Sequence, residues 1–150
     1  MTSTAELDQK QITYTLQHHD GPAHTAAEAA AVLGVTVEQI VKTLLLMGKH
    51  TGPIIVLATG NQRLDLATVQ TQLDDPSLHL ATPDQVLAIT GYPVGLVTPL
   101  GLKTPHLSIY ATAQVTQLQS CVISSGQLGT EIQLLTHDLI QAIGGRMFEC

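Results

Sequence analysis

The order in which capped helices and apolar strand-like runs follow one another most restricts the possible fold. Residues 25–34 begin with Thr25 and Glu28 at the spacing of a capping box and end at Gly34, which predicts a helix. The runs 40–47 and 53–59 are apolar, and the second is rich in β-branched residues, which predicts two neighbouring strands. Because helices and strands are interspersed, we expect an α/β or α+β fold with a mixed sheet.

The rest of the chain continues this pattern of helices and strands. Further helices are predicted at about residues 5–10, 64–73, 83–90 and 136–145. Further strands are predicted at residues 11–18, 106–111, 120–125 and 130–135. In the first strand, Ile12, Tyr14 and Leu16 alternate with polar residues and should share the buried face. In the last helix, Thr136 is expected to be the cap and Gly144 the stop.

Composition restricts the class of protein. A chain of 150 residues fits one domain, residues 1–150, and an aromatic content of 3% beside 44% hydrophobic residues predicts an aliphatic core. A net charge of −6 with six Lys and Arg residues argues against charge-driven binding to DNA or to long RNA, although one end of a nucleic acid could still be held. We find no signal-peptide pattern and no membrane-spanning run, so we expect a cytoplasmic protein without membrane partners.

The cysteines and histidines do not form a recognisable reactive group. Cys121 lies in an apolar run and is expected in the core, while Cys150 is expected to be a tail thiol. His18, His19 and His24 could be drawn as a metal cluster, but the sequence favours exposed turn residues. No nucleophile elbow, P-loop or dinucleotide glycine motif occurs. An enzyme with this sequence would lack an obvious nucleophile.

The run TGYPVGLVTPLG, residues 90–101, combines three glycines and two prolines with no charge. Proline removes backbone donors and glycine permits unusual backbone angles, so the run should be neither a plain helix nor a central strand. Its composition indicates a stiff loop with exposed backbone. Such a loop is suited to lining a ligand site.

Two other segments carry alternative interpretations. Lys42 lies in a strand whose two faces are both mostly apolar, so it either extends to water over apolar surface or faces a cleft that holds an oxygen-rich ligand. The segment SSGQLGTE, residues 124–131, is either an ordinary hairpin or a loop whose glycines bring backbone amides close to a ligand. Residue patterns alone decide neither case.

Three segments together resemble one family. HTAAEAAAVLGVTVEQIVKTLLL, TGYPVGLVTPLG and SSGQLGTEIQLLTHDLIQ resemble, in this order, the YbaK and prolyl-tRNA synthetase editing-domain family, the aminoacyl-tRNA deacylases. The similarity runs from about residue 12 to the C-terminus. It implies a mixed, largely antiparallel sheet or open barrel flanked by helices. It also implies a free-standing trans-editing enzyme that hydrolyses the ester between a wrong amino acid and the terminal adenosine of a tRNA.

The resemblance also assigns site residues. Lys42 matches the family's catalytic pocket lysine. The substrate-binding positions implied by the matching loops and strand are Gly91, Gly95, Leu96, Pro99, Gly101, Thr112, Ser125, Gly126 and Gly129. Neither a metal nor a cofactor is implied, because related enzymes position water or use a substrate group such as the ribose 2′-hydroxyl or a side-chain thiol.

Three positions depart from the family pattern. Many relatives carry an acidic residue where this chain has Thr112, and a second glycine at Leu96 and at Ser125. We expect the substrate to be tRNA(Pro) charged with Cys or Ala. The acceptor end of this tRNA is the expected partner, and prolyl-tRNA synthetase is a further candidate partner. The alternatives are a catalytically silent module that docks on a synthetase or a tRNA end, and a small-nucleotide-binding protein.

Overall fold

The computed structural model describes residues 3–20 and 25–148. Six α-helices lie within these ranges: α1 (Ser3–Gln9), α2 (Ala26–Leu33), α3 (Leu66–Gln72), α4 (Pro83–Thr90), α5 (Ala113–Thr116) and α6 (Thr136–Ile143). Eight strands lie there as well: β1 (Tyr14–His18), β2 (Val41–Met47), β3 (Ile54–Thr59), β4 (His79–Leu80), β5 (Ser108–Thr112), β6 (Ser120–Ser124), β7 (Thr130–Leu135) and β8 (Arg146–Phe148). In this part of the chain no helix is long and apolar enough to cross a membrane.

The strands form two sheets. One has the order β1-β7-β6 and is antiparallel throughout. The other has the order β4-β2-β3-β5-β8, with β2 antiparallel to both neighbours and β5 parallel to β3 and β8. The predicted mixed, largely antiparallel α/β architecture with flanking helices is therefore confirmed. The described strands do not close into a barrel.

Most of the predicted helix ends are confirmed because local capping groups determine them. The Thr25 side chain accepts the Glu28 amide at 3.1 Å and starts α2, and Gly34 ends this helix with a φ of 71°. Gly144 likewise ends α6 with a left-handed backbone. The expected Thr136 cap is wrong, because Leu135 is the N-cap and Thr136 is the first residue of the helix, with its side chain buried.

The predicted strands are present, but one side chain of the first strand is not buried as predicted. Leu16 of β1 is 42% exposed, so it does not share the buried face expected for it. β1 lies at the edge of its sheet and pairs with β7. The predicted pair of strands at 40–47 and 53–59 is confirmed as β2 and β3, which pair in antiparallel register from Val41–Thr59 to Leu46–Ile54.

The core is aliphatic, as predicted, and lies on both faces of β3, all six residues of which are buried. Ile55 and Leu57 face the larger cluster, which also contains the buried Cys121. Ile54 and Val56 face a smaller cluster under α3. Burying each of these aliphatic side chains stabilises the fold by about 1.5–3 kcal/mol. The result is a well-packed β2–β3 unit with one edge of β2 available for a site.

Candidate functional site

An open pocket of about 400 Å³ lies along the edge of β2. Its walls are mostly aliphatic and come from five parts of the chain. The lining residues are Ile40, Val41, Lys42, Thr43, Leu44 and Leu45 around β2; Val122, Ser124 and Glu131 from β6 and β7; Val94, Gly95 and Val97 from the 90–101 loop; Thr25, Ala26 and Ala29 near α2; and Leu80, Ala81 and Val86 near α4.

The topology explains why a pocket forms at this edge. A single parallel bridge joins Ile40, the residue before β2, to Val122 of β6, and the described residues show no pairing between β2 and β6. At the other end of β2, β4 pairs only with Leu46 and Met47. The Leu45 carbonyl oxygen also accepts the Ala81 amide at 3.0 Å. Residues 41–44 therefore present a strand edge to the pocket, and exposed strand edges offer backbone donors and acceptors to a ligand.

Lys42 is the basic residue among those that line this pocket. The side chain is half-buried, and burial lowers the pKa of its amine below the ordinary value of a lysine. Its Nζ donates to the backbone carbonyl oxygen of Gln62 at 2.6 Å. Of the two interpretations of Lys42, the cleft-facing one agrees with its position in the pocket wall.

The 90–101 loop is irregular, as its composition predicts. Gly91 ends α4 with a φ of 84°, and Gly95 lines the pocket with a φ of 93°, a backbone angle that suits glycine. The Tyr92 hydroxyl donates to the carbonyl oxygens of Leu100 at 2.6 Å and Gly101 at 3.3 Å. These bonds tie the two ends of the loop together.

The second glycine-rich segment packs against this loop. A Cβ on Gly126, whose φ is 87°, would lie 2.5 Å from the Tyr92 ring, so only glycine permits this contact. The Ser124 hydroxyl donates to the Leu96 carbonyl oxygen at 3.2 Å and accepts the Gly126 amide at 3.1 Å. The two loops that the resemblance assigns to one site are thus in contact.

The ten predicted site residues, all of which the structure describes, differ in their distance from the pocket. Lys42 and Gly95 line it. Leu96 and Gly126 adjoin it through Ser124. The other members, Gly91, Pro99, Gly101, Thr112, Ser125 and Gly129, are absent from its lining, and they shape or support the two loops and strand β5.

Thr112 is connected to Lys42 through a third residue. The Thr112 side chain is fully buried, and its hydroxyl donates to the Gln62 side-chain oxygen at 2.9 Å. The Thr59 amide donates to the same oxygen at 3.2 Å, while the Gln62 backbone carbonyl holds the Lys42 ammonium. Thr112 therefore fixes the segment that orients Lys42, a connection that no local sequence pattern indicates.

Glu131 is a pocket residue that no sequence motif indicated, and His19 is its neighbour. Glu131 lines the pocket, and its carboxylate lies 3.4 Å from Nε2 of His19. Burial raises the pKa of Glu131 above its ordinary value, although His19 opposes this shift. The His19 side chain is only 3% exposed, so its predicted exposure is wrong. His24 lies outside the described residues, within which no group of three metal-ligating side chains occurs.

The nearby thiol is unsuited to nucleophilic attack. Cys121 is fully buried, as predicted, and burial raises the pKa of its thiol to about 11. The thiolate form is therefore scarce at neutral pH. Cys150 lies outside the described residues. The fold and the pocket thus define a class, a mixed α/β domain with a mainly aliphatic pocket whose lining includes a lysine and glycine-shaped backbone.

The chain belongs to the aminoacyl-tRNA editing domain family, whose model matches residues 20–142. The resemblance inferred from the three sequence segments is therefore confirmed. The EbsC protein of Enterococcus faecalis, named as a candidate Cys-tRNA(Pro)/Cys-tRNA(Cys) deacylase, is 29% identical over 127 residues, which cover 84% of this chain and 77% of EbsC. A proline–tRNA ligase of Nitratidesulfovibrio vulgaris is 44% identical over 80 residues, or 53% of this chain but only 14% of the ligase.

Solved structures show the same fold. A crystal structure described as a candidate trans-editing enzyme for prolyl tRNA synthetase superposes with a TM-score of 0.86 at 27% identity, covering 97% of this chain and 92% of that chain. The hypothetical protein APE2540 superposes with a TM-score of 0.86 at 28% identity, covering 94% and 93% of the two chains. The enzyme class expected from the sequence, an aminoacyl-tRNA deacylase, agrees with the family and with these relatives.

Proposed function

We propose that this protein is a trans-editing hydrolase that removes a wrongly attached small amino acid, Cys or Ala, from tRNA(Pro). The observation that carries the proposal is the position of Lys42, an amine in the wall of a mainly aliphatic pocket beside the glycine-rich loops. A family of editing domains and a relative named as a deacylase of Cys-tRNA(Pro) support this substrate class. The acceptor end of the tRNA would enter the open side of the pocket.

Lys42 would stabilise charge that develops on the ester during hydrolysis. An ammonium has three donors, and the Gln62 carbonyl takes one of them. A second donor can then meet the ester oxygen as it becomes an oxyanion, assisted by backbone amides at the β2 edge or the 90–101 loop. Donors fixed before the reaction are effective because they need no rearrangement as the charge develops.

Water is the proposed nucleophile, because the nearby side chains are poorly placed for that role. The Cys121 thiol is buried and protonated at neutral pH. The Ser124 hydroxyl lines the pocket but donates its proton to the Leu96 carbonyl oxygen. An aminoacyl ester is reactive enough that positioning water near its carbonyl can supply much of the acceleration.

The pocket walls would select the amino acid by size. Val94, Gly95 and Val97 come from a loop whose ends are tied by Tyr92, so this wall cannot easily move away from a larger side chain. A small apolar pocket discriminates by about 1–3 kcal/mol per methylene group. We therefore expect Cys and Ala to be accepted and larger aliphatic amino acids to be rejected.

The proposed function is tested by measuring deacylation across a panel of charged tRNAs. tRNA(Pro) charged with Ala, Cys, Ser or Pro is incubated with the protein. The rate at which the amino acid is released is compared with the rate of spontaneous hydrolysis. We expect rapid release of Ala or Cys and retention of Pro. Binding of tRNA or of prolyl-tRNA synthetase without hydrolysis of any ester would contradict an editing activity and favour a silent docking module.

We further propose that the protein acts in the cytoplasm, where charged tRNA is made, and that prolyl-tRNA synthetase supplies part of the tRNA-binding surface. The support is the low number of basic residues, six in the whole sequence. Few basic residues mean few phosphate contacts, so a second protein would help to hold the tRNA. Co-sedimentation of the protein with the synthetase in the presence of tRNA tests this partnership.

A further inference from the structure

A second charged group faces the pocket from the opposite sheet. Glu131 of β7 pairs directly with Ser124 of β6, and both residues line the pocket. Directly opposed residues of an antiparallel pair project from the same face of the sheet. Among the described residues that line the pocket, Lys42 and Glu131 are the only charged ones. The pocket therefore has one cationic and one anionic wall.

The surroundings of Glu131 hold its carboxylate in place while leaving it accessible. One carboxylate oxygen lies 3.4 Å from Nε2 of His19, which is nearly inaccessible to solvent, whereas the Glu131 side chain is 20% exposed. The adjacent Ser124 hydroxyl is engaged with both glycine-rich loops. A carboxylate in a mainly aliphatic wall has lost part of its hydration, so a cationic group of a ligand would interact with it favourably.

We propose that Glu131 binds the α-ammonium group of the aminoacyl ester. This inference rests on the proposed function, because it assigns one end of the same substrate to a residue of the same pocket. Lys42 then meets the ester oxygens, Glu131 meets the amine, and the aliphatic walls surround the side chain. The pocket would in consequence distinguish a free aminoacyl group from one whose nitrogen is acylated, because an amide nitrogen carries no charge and donates fewer hydrogen bonds.

A kinetic comparison tests the role of Glu131 in hydrolysis. Alanyl-tRNA(Pro) and N-acetyl-alanyl-tRNA(Pro) are offered to the wild type, to Glu131→Gln and to Asp74→Asn, which removes an exposed carboxylate outside the pocket. We expect the wild type and Asp74→Asn to prefer the free amine by roughly 10- to 100-fold, the range of a charge-assisted hydrogen bond. Glu131→Gln should lose this preference by slowing only the free-amine substrate. An unchanged preference, or equal slowing of both substrates, would overturn the proposal.

A binding measurement separates this inference from the proposed activity. The probes are adenosine carrying alanine through a non-hydrolysable 3′-amide and the N-acetylated form of the same compound. Tighter binding of the free-amine probe that disappears in Glu131→Gln supports the ammonium site even if no ester is hydrolysed. Equal binding of the two probes by the wild type, or binding of neither, would overturn it. Circular dichroism of the Glu131→Gln protein confirms that the variant is folded.

Discussion

At the residue scale, Gly126 determines how closely the two glycine-rich loops approach each other. A Cβ at this position would lie 2.5 Å from the Tyr92 ring, and the Tyr92 hydroxyl is held by two carbonyl oxygens. The ring therefore cannot move aside without breaking hydrogen bonds. Packing at this single position connects the backbone angle of a glycine to the shape of the pocket.

We predict that Gly126→Ala destabilises the protein and slows deacylation. The matched control is Gly34→Ala, which has a similar positive φ but no atom within 4 Å of the added Cβ. Gly34→Ala should lower the free energy of unfolding by about 1–2 kcal/mol through backbone strain alone. Gly126→Ala should lower it by a further 1–3 kcal/mol, roughly, through overpacking. Urea denaturation measures both, and equal losses would show that the Tyr92 contact is unimportant.

Some residues of the site could be predicted from the sequence and others could not. Lys42 was recognisable because a lysine in an apolar strand needs a partner or a cleft. Glu131 was not recognisable as a site residue, because a charged residue at the start of a strand after a glycine turn is typical of a solvent-exposed edge. The Thr112–Gln62–Lys42 connection joins three distant parts of the chain, so only the fold reveals it.

At the element scale, a buried carboxylate organises the turn between β2 and β3. Asp75 is fully buried, and its Oδ2 accepts the backbone amides of His50 at 3.0 Å and Thr51 at 2.9 Å. Its other oxygen accepts the Ser77 amide at 3.0 Å. Burial raises the pKa of Asp75, but the hydrogen bond from the Ser77 hydroxyl at 2.5 Å, followed by those from the backbone amides, lowers it by more, so the net pKa lies below the ordinary value.

We predict that Asp75→Asn destabilises the protein in a pH-dependent way, because an asparagine amide nitrogen cannot accept these hydrogen bonds. The folded-state pKa of Asp75 is depressed, so its stabilisation is fully present above the unfolded pKa of about 4 and is lost as the pH falls below it. The difference in melting temperature between wild type and Asp75→Asn should therefore be large at pH 7 and smaller at pH 3.

The exposed neighbour Asp74 provides the control for this experiment. Asp74→Asn keeps a residue type that tolerates the positive φ of 52° at this position and should leave the melting temperature nearly unchanged. A difference between wild type and Asp75→Asn that does not shrink at low pH would show that the carboxylate is not the stabilising group.

The long elements were predictable and the short ones were not. Helices α2 and α4 carry complete capping signals, and β3 is a continuous apolar run, so local chemistry specifies them. Strands β4 and β8 have two and three residues, and they exist only because β2 and β5 offer them backbone partners. Tertiary pairing of this kind leaves no periodic signal in the sequence.

At the scale of the whole molecule, charge limits how the protein can hold a tRNA. The chain carries a net charge of −6 and only six Lys and Arg residues. A protein that neutralises few phosphates releases few counterions, so its affinity for nucleic acid depends weakly on salt. Recognition should therefore depend on the aminoacyl end of the tRNA more than on the phosphate backbone.

We predict that the slope of log K against log salt concentration for tRNA binding is no steeper than about −3, as for three or four phosphate contacts. Fluorescence anisotropy with labelled tRNA measures the dissociation constant at salt concentrations from about 50 to 200 mM, and the slope follows from these values. A slope near −5 or steeper, as for about six phosphate contacts, would require essentially all six Lys and Arg residues to contact phosphate and would contradict recognition through the aminoacyl end.

The most direct test of the account is single-turnover deacylation of alanyl- and cysteinyl-tRNA(Pro) by wild type, Lys42→Ala and Lys49→Ala. Lys49 is an exposed lysine in the turn after β2 and lies outside the pocket. We expect Lys42→Ala to remain folded and to lose about 100- to 1,000-fold in rate, the usual effect of removing one oxyanion donor. Lys49→Ala should retain the wild-type rate. Full activity in a folded Lys42→Ala protein would contradict the assignment of the pocket as the editing site.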